Sequence, residues 1–195
     1  MSATPAASGA GGGYSHKETY ISMSNPVFDA IVKRVSESYP YSCICFITEI
    51  VNEKLSKAFN KKKKEIEKKL TASASKQKVK IGQLFHGTNE IAAEAISRTG
   101  FLTKFNKTSA YGIGSYFARN AKYSFHFMHP GADEMSYMFL ADVLIGKTCV
   151  GVSGKRAPKG VDTMVNKIKS PDIYVTPYDN GAYPRYLIAF NKSEK

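Results

Sequence analysis

Apolar positions change period several times along this chain, and each change predicts an element. Val27, Ile31 and Val35 recur every four residues behind Asn25-Pro26. A side chain able to cap a helix, followed by proline at the first helical position, predicts a helix start there. The run SCICFITEIV at 42–51 is short and rich in β-branched and apolar residues, which predicts a buried strand. Asn52 can cap a second helix, on which Leu55, Phe59, Ile66 and Leu70 lie roughly on one side. TASASKQK at 71–78 reads as a polar loop.

Beyond that loop, short apolar runs alternate with turns. Strands are expected at 81–86, 114–118, 137–145, 147–151, 172–177 and 185–190. Helices are expected at 89–98, ended by Gly100, and at 118–127. Pro177 suits the end of a strand. The sum is an α+β domain with much strand, few helices and no internal repeat. Residues 1–23 read as a flexible leader rich in Gly, Ala and Ser, and 24–195 as one domain. The leader lacks the basic start and apolar core of a secretory signal. No apolar run approaches the roughly 20 residues a membrane-spanning helix needs.

A formal net charge of +12 invites a nucleic-acid reading. Much of that charge lies in KKKKEIEKK at 61–69, which reads either as a solvated helix face or as a surface attracting a polyanion. No RNA-recognition, zinc-finger or helix-turn-helix pattern accompanies it. Cys43, Cys45 and Cys149 form neither a disulfide framework nor paired zinc ligands, which points to a reducing compartment, cytoplasmic or nuclear. His126, His129 and Cys149 lack ligand spacing, so no metal is expected.

Two segments carry candidate chemistry. In LFHGTNE (84–90) an apolar strand delivers His86, then Gly87, where a ligand can approach the backbone, then the Thr88 hydroxyl. A lone histidine after a strand is more often structural than catalytic. In YGIGSYF (111–117) two glycines permit a tight approach beside the Tyr116 phenol, without the third glycine of a dinucleotide fingerprint. Ser124 and Phe127, three apart, share a helix face. A hydroxyl beside a ring can bond an amide while the ring stacks on its heterocycle.

These pieces resemble a known family. FHGT (85–88), GF (100–101), YGIGSYFA (111–118), AKYS (121–124), MFLADVLIGK (138–147), DTMV (162–165) and AYPRYLIAF (182–190) are similar to the poly(ADP-ribose) polymerase branch of the diphtheria-toxin-like ADP-ribosyltransferases. The resemblance runs in order from about residue 24 to 190. It implies two packed, mostly antiparallel sheets with flanking helices around an NAD cleft. NAD+ is then a substrate, with no cofactor or metal. His86 and Tyr116 match the first two members of a His-Tyr-Glu triad: the histidine bonds the adenosine-side ribose and the tyrosine borders nicotinamide. Gly87 matches the glycine whose backbone grips the carboxamide, and Ser124 completes that grip. Phe127 falls where a second stacking tyrosine is usual, and Thr88 contacts ribose.

The third triad position falls at Ile173, in KSPDIYVTPYDN. The family's glutamate there bonds a ribose hydroxyl, stabilises charge on the sugar and orients an acceptor ribose for elongation. Isoleucine does none of these, so the resemblance implies transfer of single units to protein acceptors. Asp172, one residue earlier on a strand, faces the other way unless the register slips by one. Ile173→Glu is expected to fold without serious harm. The short FLTKFNKTSAYG segment, in place of a longer lid, implies modest NAD+ affinity. Other readings are an inactive relative that binds NAD+ or a partner, and a basic nucleic-acid module resting on charge alone. A monomer without a membrane partner is expected.

Overall fold

The computed structural model describes residues 15–39, 43–73, 78–106, 109–132 and 134–191. Its elements in chain order are β1 (His16–Tyr20), α1 (Pro26–Ser36), β2 (Ile44–Asn52), α2 (Glu53–Ala72), β3 (Lys80–Thr88) and α3 (Glu90–Thr99). A single 3-10 turn (Thr103–Phe105) precedes β4 (Ser115–Ala118), α4 (Ala121–Phe125) and β5 (Ser136–Ile145). β6 (Thr148–Val150), β7 (Thr163–Val165), β8 (Ile173–Thr176) and β9 (Ala182–Phe190) complete the fold.

Capping side chains set the helix starts. Asn25 Oδ1 accepts from the Val27 N–H at 2.9 Å, with Pro26 at the first helical position. Asn52 Oδ1 accepts from Leu55 N–H, while its amide nitrogen donates to the carbonyls of Ser97 and Arg98. One side chain thus starts α2 and satisfies the end of α3. Gly100, at φ +77°, then stops α3.

The strands are ordered β1-β2-β9-β5-β3-β4-β8-β7-β6 and are antiparallel except for β6 beside β7. This is the expected α+β, ADP-ribosyltransferase architecture. In place of two expected packed sheets there is one continuous nine-stranded sheet, whose halves β1-β2-β9-β5-β3 and β4-β8-β7-β6 are joined through one residue pair, Phe85 opposite Ala118. β5 is buried on both faces. Phe139, Ala141 and Val143 pack with Ile50, Phe101 and Leu187 on one side. Met138 and Leu140 pack with Ile31, Val35 and Ile188 on the other.

Four expectations differ from the structure. The leader does not extend to residue 23, because His16–Tyr20 pair with β2 as an edge strand; residues 1–14 lie outside the described residues. The helix expected at 118–127 is only Ala121–Phe125, since Ala118 still pairs with Ile173 in the sheet. β7 gives no signal of its own, being three residues long. β9 begins before Pro184, not after it: the register between β5 and β9 shifts between Leu140 and Asp142, an irregularity of the kind that accommodates a proline.

Candidate active site

The cleft opens where β3 and β4 part after their single pair. It encloses about 290 Å³ and is lined by His86, Gly87 and Thr88 from β3, Tyr116 from β4, and Tyr123, Ser124 and Phe127 from α4 and the turn after it. Phe105 and Asn106 close it from the 3-10 turn. Six residues singled out in the sequence, His86, Gly87, Thr88, Tyr116, Ser124 and Phe127, therefore meet around one space.

Main-chain direction explains what β3 offers. Arg119 N–H donates to the Asp172 carbonyl, so the backbone groups of Arg119 and Phe117 face β8. Those of Ala118 and Tyr116 face β3 instead. Ala118 pairs with Phe85, so the backbone groups of Phe85 and, two residues on, Gly87 face the β4 side. Beyond Phe85 no residue of β4 pairs with β3. The Gly87 N–H and C=O consequently turn toward the cleft, one donor and one acceptor as an amide requires.

His86 Nδ1 lies 2.8 Å from the Tyr116 carbonyl oxygen. A carbonyl only accepts, so Nδ1 carries the proton and Nε2 is left as an acceptor. The ring meets Phe101 edge-on and tilts against Phe117. Burial pushes its pKa below the ordinary value, and the Tyr116 carbonyl only partly opposes that. A neutral ring with a free Nε2 lone pair can accept from a sugar hydroxyl.

Tyr116 departs from its expected presentation. Its hydroxyl donates to the Gly112 carbonyl at 2.7 Å and accepts from Tyr111 N–H at 2.9 Å. The phenol is engaged in holding the 111–116 turn, and burial pushes its pKa up. What the cleft receives is the ring. The glycines also answer to protein neighbours: a Cβ at Gly114 would lie 2.4 Å from the Thr176 carbonyl oxygen, and one at Gly112 would lie as close to Met164 Sδ. They let the turn settle on β7 and β8. A Cβ at Gly87 would stand 1.9 Å from the Ser124 carbonyl oxygen, so glycine there is what draws α4 against β3.

That contact buries Ser124 beside Gly87. Phe127 lies beyond the end of α4, yet its N–H donates to the Ser124 carbonyl at 3.0 Å and keeps one-turn spacing. The Phe127 ring tilts against Tyr123 with centroids 5.4 Å apart, both rings partly exposed at the cleft. Sequence reasoning missed Tyr123, although its spacing of four from Phe127 was a usable signal. It also missed Phe105 and Asn106, whose placement depends on a turn with no pattern of its own. The Asn106 amide donates to the Thr103 carbonyl and Ser115 Oγ.

Ile173 stands opposite Ala118 on β8, directly behind the cleft wall. It is 3% exposed, packed among Ala118, Val161, Met164 and Val175, and does not line the space. The expectation that Ile173→Glu folds without serious harm is therefore overturned: the new carboxylate would enter an apolar cluster. Asp172 points elsewhere. Its carboxylate lies 2.6 Å from Lys167 Nζ, and that ammonium holds it below the usual carboxylate range. No carboxylate lines the cleft among the described residues.

A polar strand edge, a neutral histidine and aromatic walls thus surround one cleft. The poly(ADP-ribose) polymerase catalytic-domain profile matches residues 28–171, and the chain belongs to that family. Relatives include the protein mono-ADP-ribosyltransferases PARP14 of Homo sapiens, 30% identical, and PARP12 of Mus musculus, 31% identical. The matches cover 87% and 92% of this chain, but only 10% and 26% of those relatives. The chain thus spans a tenth to about a quarter of their length.

Proposed function

We propose that this domain transfers a single ADP-ribose unit from NAD+ to side chains of proteins, itself included, with release of nicotinamide. The observation that carries the reading is the turn of the Gly87 backbone toward a cleft walled by Tyr116 and Phe127, with Ser124 packed beside it. The Gly87 N–H and C=O suit both ends of a carboxamide, and the two rings suit the faces of its heterocycle. The His86 Nε2 lone pair suits a ribose hydroxyl.

In the reaction, the bond between the ribose C1′ and nicotinamide breaks with its electron pair leaving on nicotinamide. An acceptor lone pair forms the new bond at C1′. The protein contributes position and a partly enclosed setting more than proton transfer. Among the described residues no carboxylate lines the cleft to act as a base, so an acceptor carboxylate, which has no proton to lose, fits best. The same lack, with Ile173 at the third triad position, supports single-unit transfer over elongation.

Incubation with labelled NAD+ and a protein mixture, for the native chain and His86→Ala, tests this. Discrete labelled bands that disappear in His86→Ala are expected. A high-molecular-weight smear would mean elongation. Absence of label with NAD+ binding retained would leave a binding module instead.

A further inference from the structure

We propose that the outer face of α2 is a docking surface for the phosphate backbone of double-stranded nucleic acid. This is separate from ADP-ribosyl transfer. The helix carries eight lysines against three glutamates. At 3.6 residues per turn, Lys54, Lys57, Lys61, Lys64 and Lys68 fall within an arc of about 80° and extend over about 21 Å of helix axis. All five are exposed, opposite the buried Phe59, Ile66 and Leu70. Flanking lysines engage the acids: Lys62 pairs with Glu65 at 2.5 Å and Lys63 with Glu67 at 2.6 Å. Lys54, Lys61, Lys64 and Lys68 take part in no ion pair among the described residues.

The fold adds charge that the sequence places far away. Lys69 donates to the Gly160 carbonyl at 3.3 Å and pairs with the buried Asp162. These contacts seat Gly160 against the end of α2, so that the exposed Lys159 next to it in the chain adds to the charge there. Neither α2 nor 154–160 exposes a large apolar side chain. A membrane surface fits less well: the face can attract anionic headgroups but has no apolar side chain of its own to insert. A single strand fits less well, because the ring that borders this surface, Tyr178, is half-buried with Lys62 over its face and offers no open platform for a base. A straight row of like charges on a rigid helix fits the regular phosphates of a duplex, with contacts that position without reading sequence. None of these residues lines the cleft.

The test is fluorescence anisotropy with a labelled DNA duplex of about 20 base pairs, in two unrelated sequences, between about 50 and 200 mM salt. Binding is expected to be indifferent to sequence, with log K falling against log salt at a slope of about −3 to −4, as for four phosphates. Replacing Lys54, Lys61, Lys64 and Lys68 together by Gln keeps helix propensity and should lower affinity at least about tenfold while flattening the slope. Thermal unfolding and labelled-NAD+ transfer should match the native chain, which separates this test from that of the catalytic reading. Lys167→Gln, a charge loss elsewhere, should leave binding unchanged. The proposal fails if the native chain does not bind, if the fourfold variant binds as well, if Lys167→Gln weakens binding equally, or if polyglutamate competes as well as duplex at equal charge.

Discussion

His86 meets the cleft as a neutral ring because burial between Phe101 and Phe117 disfavours the imidazolium more than the Tyr116 carbonyl favours it. The unfolded chain binds a proton near the ordinary value of about 6.5, and the native site resists it to lower pH. Its stability contribution is therefore full above about pH 6.5 and declines as pH falls from there toward the native pKa. Urea midpoints at about pH 5 and 7.5 should show a smaller acid loss in His86→Gln than in the native chain. Labelled transfer by the folded protein should hold through that window and fall only at lower pH, where the native ring takes up its proton. At Ile173 the relevant quantity is packing. Ile173→Glu should cost about 1–3 kcal/mol or more from burial of an unpartnered acid, visible as a lowered Tm. Asp172→Ala, which loses a largely exposed pair with Lys167 and a bond to Asn166 outside the cleft, should leave transfer unchanged.

At the scale of elements, the site exists because β3 continues past β4. One pair holds the two strands, and beyond it the Gly87 backbone is free to face a ligand. The opposite wall depends on the 3-10 turn, which has only three residues and little burial. Asp179, in the turn between β8 and β9, anchors it: one carboxylate oxygen accepts from both the Thr103 N–H at 2.8 Å and the Thr103 hydroxyl at 2.7 Å. Phe105 and Asn106 follow at once and line the cleft. Losing two such bonds corresponds to about 1 kcal/mol, so Asp179→Ala should raise KM for NAD+ about threefold to tenfold with a smaller change in kcat. An equal loss in both native-like stability and kcat would instead assign Asp179 a general structural role.

Across the whole molecule, side chains tie the outer half of the sheet to the helical layer. The Asp162 carboxylate, with no exposed surface, accepts from Lys147 N–H at 2.9 Å and pairs with Lys69 of α2. The Tyr178 hydroxyl bonds the neighbouring Val161 carbonyl. In the other half of the sheet, Tyr183 ties β9 to the end of β2, donating its hydroxyl to the Ile50 carbonyl and accepting from Asn52 N–H. Asp162→Ala strips partners from the Lys147 N–H and the Lys69 ammonium together. A loss of about 2 kcal/mol is expected in denaturant unfolding, discounted because Lys69 is partly exposed. The 155–159 segment should gain proteolytic sensitivity in the same variant, because its link to α2 is removed.

Local chemistry carried much of this. Caps at Asn25 and Asn52 and the stop at Gly100 act within one helical turn, so the sequence alone located α1, the start of α2 and the end of α3. Apolar runs located β3, β5 and most of β9 for the same reason. The motif residues around His86, Tyr116 and Ser124 were legible because their types and spacing resemble a family pattern. What the chain did not show were features created by contact between distant segments. β1 has every residue exposed and exists through pairing with β2, so no periodicity announced it. The glycines answering to Met164 and Ser124 and the enclosure of Ile173 depend on neighbours tens of residues away, and the turn of the Tyr116 hydroxyl into its own loop is a matter of side-chain direction that no spacing announces. Sequence alone determined which residues could meet at the cleft. Tertiary packing decided which atoms face it, because side-chain direction and backbone exposure follow from strand pairing and not from composition.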